Sequence, residues 1–164
     1  MSDEGYWGYI EEAYDDFCEV EDRAAWLALA EKHSQWQCDL VAAHWLLAEV
    51  DNGGLMQFFL NDSGYVAPEA VAAFQRIGLP EAARAVSATM AVFGPEYPLD
   101  CAVRDKILRG KIGLSPEAKD HALFKSGLFD QMEESLRRAG GGTFDGIYAE
   151  MDKYAEQKGT EPTS

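Results

Sequence analysis

Residues 49–64, with the sequence EVDNGGLMQFFLNDSG, decide the fold of this chain. They continue a run from Leu40 to Val50 that is apolar at almost every position, with His44 and Glu49 as the exceptions. As a helix this run is hydrophobic nearly all round, which is typical of a helix buried in a protein core. The sequence therefore predicts a buried helix that ends inside the motif.

A tight corner is predicted at the centre of the motif. Asn52 and Gly53 adopt left-handed backbone conformations at low cost and are therefore residues that end helices. A second apolar run, Leu55–Leu60, follows almost directly, and the turn residues Asn61–Gly64 end it. The motif therefore predicts two largely buried helices joined by an Asn-Gly-Gly corner.

The polar side chains of the motif allow two interpretations. Gln57 and Asn61 are four residues apart, so they share one face of a helix. Together with Glu49 they either satisfy backbone groups that the corner leaves unpaired or line a ligand site. We favour a structural role for the polar and glycine positions of the motif, which are Glu49, Asn52, Gly53, Gly54, Gln57, Asn61 and Gly64.

Helical periodicity extends along almost the whole chain, and the alternation typical of a β-strand is absent over any useful length. Outside the central pair, the predicted helices are roughly Tyr6–Asp22, Arg23–His33, Pro68–Gly78, Pro80–Gly94, Leu99–Arg109, Pro116–Lys125, Leu128–Ala139 and Phe144–Gln157. Ser34 is expected to cap the buried helix. The expected fold is one all-α domain over residues 1–158, with about eight to nine helices around the buried pair. A flexible tail is expected at 159–164.

Composition places the chain among globular proteins. It has 164 residues, 47% of them hydrophobic, with four Trp, seven Tyr and eight Phe, which disordered acidic tails lack. No apolar run approaches the roughly 18 residues of a membrane span. The N-terminus is acidic where a secretory signal is basic. We therefore expect a cytoplasmic protein that does not associate with membranes.

No constellation in the sequence specifies a reaction, a metal site or a cofactor. Cys18, Cys38 and Cys101 are odd in number and lack paired spacing, so we expect them to pack as small apolar side chains. Spacings of five and six residues place His33, Cys38 and His44 on different helical faces, which disfavours a metal site. His44 is expected to be a core histidine with a hydrogen-bonding partner. Neither a nucleophile–base pair nor a phosphate-binding loop is recognisable.

Charge is distributed unevenly along the chain. The formal net charge is -15 at pH 7. Residues 1–51 hold 13 acidic residues against two basic ones, Arg23 and Lys32, which gives a net charge of -11. The other 113 residues hold 16 acidic and 12 basic residues, a net charge of -4. Most of the negative charge therefore lies in the N-terminal third of the chain.

Charged and apolar residues separate when the first predicted helix is plotted at about 100° per residue. The apolar side consists of Tyr6, Tyr9, Ile10, Ala13, Tyr14, Phe17 and Val20. The acidic side consists of Glu4, Glu11, Glu12, Asp15, Asp16, Glu19 and Asp22. A helix rises roughly 16 Å from Glu11 to Asp22. The six residues of the acidic side in that stretch therefore recur about every 3 Å. The phosphates along one DNA strand recur roughly every 3.4 Å. The acidic side is therefore either a solvated surface or an imitation of DNA phosphates.

The central motif also resembles the signature of a bacterial family of unknown function that contains a DNA-mimic protein. The shared pattern is Glu-Val-x-Asn-Gly-Gly, an apolar residue, x-Gln, two aromatic residues and x-Asn-x-x-Gly, and the continuation 68–70 follows the same plan. Leu55 stands where the family usually has an aromatic residue. The resemblance implies an all-helical domain, and for the DNA mimic an acidic surface that occupies a DNA-binding protein, with the mimic acting as a dimer.

Three hypotheses for function follow from the charge and the resemblance. The first is an acidic interaction protein, a DNA mimic that binds a basic nucleic-acid-binding protein such as a transcription factor and does not itself bind nucleic acid. The second is an immunity or antitoxin-like binder of a basic toxin. The third is an enzyme or ligand-binding protein with a site near Glu49, Gln57 and Asn61. The basic residues Arg104, Lys106, Arg109 and Lys111 are expected on a solvated helix face, available to the acidic residues of a second copy in a homodimer.

Overall fold

The computed structural model describes residues 5–160, which are helical almost throughout. Its α-helices are α1 (Trp7–Cys18), α2 (Arg23–Ala30), α3 (Gln35–Leu60), α4 (Ala67–Ile77), α5 (Pro80–Ala91), α6 (Cys101–Lys111), α7 (His121–Phe124), α8 (Asp130–Ala139) and α9 (Asp145–Gly159). A 3₁₀ helix, Asp62–Val66, connects α3 to α4. Residues 5–160 contain no strand, and the all-α prediction is confirmed.

The predicted buried helix pair is present as α3. Its buried residues are Cys38, Asp39, Leu40, Val41, Ala42, Ala43, Leu46, Leu47, Val50, Leu55, Met56, Phe58 and Phe59. Helices α1, α4, α6 and α9 pack directly against α3, while α5 packs on α4 and α8. The hydrophobic run predicted to be buried therefore forms the centre of the molecule.

The corner inside α3 lies one residue later than the sequence predicted. Gly53 has an extended φ of -155°, and Gly54 has a left-handed φ of 79°. The prediction that Asn52 and Gly53 supply the left-handed residues is therefore wrong. A Cβ atom on Gly54 would lie 2.7 Å from Oε2 of Glu133, a side chain of α8. Gly54 is thus required by its backbone conformation, and a side chain there would also displace the carboxylate of Glu133.

The first predicted helix is shorter than expected. It ends at Cys18, not at Asp22, and α2 begins at Arg23. Asp22 has an extended backbone, and its side chain accepts a hydrogen bond of 2.8 Å from the amide of Ala25. Because Asp22 caps α2, it cannot also continue α1. The expected helical rise from Glu11 to Asp22 therefore does not exist.

The helix predicted over Pro116–Lys125 is also wrong, since only the four residues of α7 are helical there. The guanidinium of Arg109 donates a 2.6 Å hydrogen bond to the carbonyl of Ala118 and pairs with Asp120. These contacts hold residues 115–120 as turns against α6. At the other end of the chain, α9 continues through Gly159, which the sequence assigned to the tail. The rest of that tail, 161–164, lies outside the described residues.

Two of the basic residues expected on a solvated face are buried. Lys106 and Lys111 are exposed, but Arg104 is completely buried and Arg109 is 7% exposed. Arg109 pairs with Asp105 on its own helix, at 2.8 Å, in addition to its contacts with residues 118 and 120. Both arginines of this set are therefore packed against other parts of the protein, on different sides of α6, and its lysines are exposed.

Candidate interaction surface

The acidic residues of α1 face solvent, as the periodicity of the sequence predicted. Ile10, Ala13 and Phe17 are buried on the opposite side of the helix. We define the acidic face as Glu11, Glu12, Asp15, Asp16 and Glu19, all of which are exposed. Glu4, which the sequence added to this set, lies outside the described residues. Asp22 is exposed but belongs to the start of α2.

The five carboxylates of the acidic face differ in their partners. Asp16 lies 3.0 Å from Nε2 of His33, which ties the last turns of α1 to the segment after α2. Within residues 5–160, no hydrogen bond or ion pair engages the carboxylates of Glu11, Glu12, Asp15 or Glu19. Four charges of the face are therefore unpaired in the described part of the chain.

Aromatic contacts hold α1 against the central helix. The hydroxyl of Tyr6 and Nδ1 of His44 form a hydrogen bond of 2.7 Å. The rings of Trp7 and Tyr14 lie 5.1 and 5.2 Å from the His44 ring. Burial lowers the pKa of His44 below its ordinary value. His44 is half-buried, and it has the hydrogen-bonding partner that the sequence predicted. Its contacts anchor the helix that carries the acidic face.

The polar side chains of the corner contact one another. Gln57 and Asn61 donate hydrogen bonds of 2.7 and 2.8 Å to the same oxygen, Oε2 of Glu49. The hydroxyl of Ser63 lies 3.5 Å from the other oxygen of Glu49. The interpretation that these amides satisfy backbone groups of the corner is therefore wrong. The amide of Leu55 instead donates to Glu133 of α8, at 3.1 Å.

The side chain of Arg104 binds backbone carbonyls at the end of α3, and its position explains why residue 64 of the motif is a glycine. Its guanidinium donates to the carbonyls of Phe59 and Asn61 at 2.8 and 2.7 Å. Two further bonds, of 3.0 and 2.6 Å, reach the carbonyls of residues 98 and 99. A Cβ atom on Gly64 would lie 2.7 Å from Nη2 of Arg104. Sequence reasoning missed Arg104, because a charged residue among three other basic residues gives no sign of burial.

A second buried charge connects three helices. Asp39 is 1% exposed and accepts hydrogen bonds from Arg76 of α4, at 2.6 Å, and from Tyr154 of α9, at 2.9 Å. The hydrogen bond to Asp39 raises the pKa of Arg76 above its ordinary value. A buried carboxylate needs such partners because desolvation is costly. The sequence did not predict the burial of Asp39, because its partners Arg76 and Tyr154 lie far from it along the chain.

The cysteines differ from one another in exposure. Cys38 is buried, and burial raises the pKa of its thiol to about 11. Cys101 is half-buried, and Cys18 is exposed, so the expectation that all three pack as apolar side chains is wrong for Cys18. In the described part of the chain, no three His, Cys, Asp or Glu side chains are arranged to hold a metal ion. No helix within 5–160 has the length and apolarity that crossing a membrane requires.

Comparison with known proteins identifies the family. The family model described as DMP19-like protein matches residues 31–158, which is most of the chain. The chain belongs to the DMP19-like family. Searches of curated proteins and of solved structures find no match.

The family match of this DMP19-like protein includes the corner of α3 but not the acidic face of α1. The corner of α3, with Glu49, Gln57 and Asn61, lies inside the matched residues. The whole of α1, with the acidic face, lies before residue 31 and therefore outside them. The family match thus covers the scaffold that carries the corner and does not extend to the acidic face.

Proposed function

We propose that this DMP19-like protein is an acidic interaction protein that imitates DNA and binds a basic DNA-binding protein, such as a transcription factor. The observation that carries the proposal is the acidic face of α1, where four exposed carboxylates have no partner within residues 5–160. A basic DNA-binding surface is built to neutralise regularly spaced phosphates. A row of carboxylates on a rigid helix presents the same sign of charge to that surface.

Rigidity of α1 supports this role. The buried side chains of the helix and the Tyr6–His44 hydrogen bond fix its orientation against α3. A helix that is already held in place loses little backbone entropy on binding, so more of the electrostatic attraction contributes to affinity. The net charge of -15 adds long-range attraction to a basic partner and repels nucleic acid itself.

The signature residues have a different role in this proposal. Glu49, Gln57 and Asn61 bind one another, and Gly54 and Gly64 allow Glu133 and Arg104 to approach. We assign the signature to stability of the α3 corner. Because both amides donate to Glu49, this arrangement favours a structural role over a ligand site.

Capture from lysate of the native host tests the proposal. We expect the wild-type protein to retain a basic DNA-binding protein, and we expect duplex DNA to displace it, because both ligands occupy the same surface. Binding should also weaken steeply as salt is raised, since exposed charges are screened over a Debye length of about 8–10 Å. A captured partner that binds this protein and duplex DNA simultaneously would contradict DNA mimicry.

A further inference from the structure

Helix α1 is a weak helix by its own sequence. It has 12 residues, a length at which an isolated helix is marginally stable in water. Its first turn has no acidic residue and its last turn has no basic residue, so its ends lack the charges that favour a helix dipole. The side chain of Tyr6, which precedes α1, makes no capping hydrogen bond. The helical form of α1 therefore depends on contacts with the rest of the protein.

The acidic face adds electrostatic repulsion within α1. Carboxylates three or four residues apart are neighbours on a helix, and like charges at these spacings are destabilising. The acidic face also extends to the C-terminal end of α1, where negative charge opposes the helix dipole. The charges that suit α1 to a basic partner therefore oppose its folding. Five pairs have these spacings: Glu11 with Asp15, Glu12 with Asp15, Glu12 with Asp16, Asp15 with Glu19, and Asp16 with Glu19.

The last helix of the chain supplies a cap to α1. Oδ1 of Asp152, on α9, accepts a hydrogen bond of 2.7 Å from the amide of Tyr6. This carboxylate thus lies at the N-terminus of α1, where negative charge is favourable. Gly5 has a left-handed φ of 59°, and a Cβ atom there would lie 2.5 Å from the same oxygen and displace it. The backbone at Gly5 therefore leaves room for the carboxylate of α9.

Two further contacts join the first turn of α1 to α9. The rings of Tyr6 and Tyr148 are nearly parallel, at 6°, with centroids 6.1 Å apart. The hydroxyl of Tyr148 donates to Asp51 of α3 at 3.3 Å, which holds this ring between the two helices. The ring of Tyr9 lies against Gly159, where a Cβ atom would be 2.6 Å from Cε1 of the ring. None of these contacts uses a carboxylate of the acidic face, so α9 supports α1 and leaves that face exposed.

We propose that Asp152 is a positioning residue, which caps α1 and keeps it helical, so that the acidic face is presented as one surface. Loss of this contact raises the population in which α1 is locally unfolded, because the charges of the helix repel one another, while the core around α3 stays folded. A basic partner that neutralises the carboxylates favours the helical form, so partner binding and the Asp152 contact stabilise each other. The inference deepens the proposed function, on which it rests for the role of the acidic face.

Hydrogen–deuterium exchange of the backbone amides, followed by mass spectrometry on the whole chain, tests the inference without a partner. In Asp152→Ala the amides of α1 should exchange about tenfold faster or more, while those of residues 38–50 in α3 keep their wild-type rates. The matched control is Glu150→Ala, because Glu150 is another carboxylate of α9 and pairs with Lys153 on the same helix, at 2.6 Å. Its α1 amides should exchange within about twofold of the wild-type rates.

Removal of charge from α1 separates this positioning role from simple packing. Glu12→Gln/Asp15→Asn abolishes four of the five like-charge pairs and alters no residue of α9. Combined with Asp152→Ala, it should return α1 exchange to within about threefold of the wild type, and alone it should slow that exchange. The inference would be overturned by unchanged α1 exchange in Asp152→Ala, by equal acceleration in α1 and α3, or by charge removal that slows exchange in neither background.

The captured partner distinguishes this inference from the proposed function. Its addition to the wild-type protein should slow α1 exchange further, since a partner bound to the acidic face stabilises the helix. Faster α1 exchange in Asp152→Ala, together with α1 exchange that the partner leaves unchanged, would overturn the proposed function and leave the role of Asp152. Slower α1 exchange with the partner, together with wild-type rates in Asp152→Ala, would overturn the role of Asp152 and leave the proposed function.

Discussion

The acidic face of α1 and the corner of α3 are both rich in polar side chains. At the corner these side chains bind one another, whereas on α1 they are exposed to solvent. At the corner, two amide groups converge on Glu49, and Glu133 caps the backbone at Leu55. On α1, four carboxylates point to solvent and have no partner within residues 5–160. Polar groups that satisfy one another stabilise a fold, while charges left unsatisfied are available to a second molecule. We therefore expect substitutions in the two regions to separate stability from binding.

The largest effect on stability should come from Arg104. Arg104→Met would leave four backbone carbonyls without their donor in a completely buried position, so the free energy of unfolding should fall by about 3 kcal/mol or more. Urea unfolding measures the loss. The control is Arg84→Met, whose side chain is 70% exposed and whose removal should change stability by about 0.5 kcal/mol or less. Equal stability of the two variants would mean that the carbonyls find other donors.

A smaller effect is expected at Gly54. Gly54→Ala should cost about 1–3 kcal/mol, because a φ of 79° with a ψ of 178° is a conformation that residues other than glycine rarely adopt, and the added Cβ would also displace the carboxylate of Glu133. Gly113→Ala is the control, since Gly113 also has a positive φ, of 69°, and has open space around it. Thermal melting should therefore show a larger loss at position 54 than at 113. Equal losses would show that neither the ψ of Gly54 nor the approach of Glu133 adds to the cost of a positive φ.

Gln57 tests the hydrogen-bonded cluster itself. Gln57→Ala removes one donor from Glu49, and stability should fall by roughly 1–3 kcal/mol because the carboxylate is left partly unsatisfied. Partner binding should be unchanged in the folded variant. Gln131→Ala, at an exposed position of α8, serves as the control. A stable Gln57→Ala protein that has lost an activity would instead favour the ligand-site interpretation.

The smallest effect concerns the pH dependence of the α1–α3 contact. Because burial lowers the pKa of His44 in the folded protein, its stabilising contribution is present above the ordinary histidine pKa of about 6.5. It is lost as the pH falls from there through the lowered pKa, since protonation then favours the unfolded state. Melting curves at several pH values should show a weaker decline in the His44→Gln variant than in the wild type. Parallel declines would show that His44 does not contribute to the pH dependence.

Local patterns explain how much of this structure is predictable from the sequence. The apolar run from Leu40 to Val50 and the glycines after it specify a buried, kinked helix, because these signals act over a few residues. The early end of α1 was missed because Asp22, a helix-capping residue type, stands in a run of acidic residues that all suit a solvated face.

Long-range partners explain the rest. Glu133 lies 78 residues from the amide that it caps, and Arg104 lies 45 residues from the carbonyl of Phe59. No periodicity relates such positions, since their contact depends on how whole helices pack. Burial of Arg104 and Arg109 does not follow the period of α6, since they lie about 140° apart around the helix while the exposed Lys111 shares the face of Arg104. It depends instead on the separate chain segments that each arginine contacts.

Matched neutralisation of the surface tests the central claim most directly, namely that binding resides in the acidic face. One variant carries Glu11→Gln, Glu12→Gln, Asp15→Asn and Glu19→Gln, which leaves Asp16 and Asp22 with their partners. The control carries Glu31→Gln, Glu96→Gln, Glu117→Gln and Glu134→Gln at exposed positions elsewhere. Both variants change the formal net charge from -15 to -11.

Calorimetric titration of the captured partner into both variants is the decisive measurement. We predict that the face variant keeps its stability and loses affinity by about two orders of magnitude, while the control stays within about threefold of the wild type. Equal affinities of the two variants for the partner would contradict the account, because net charge alone, and not the acidic face of α1, would then determine binding.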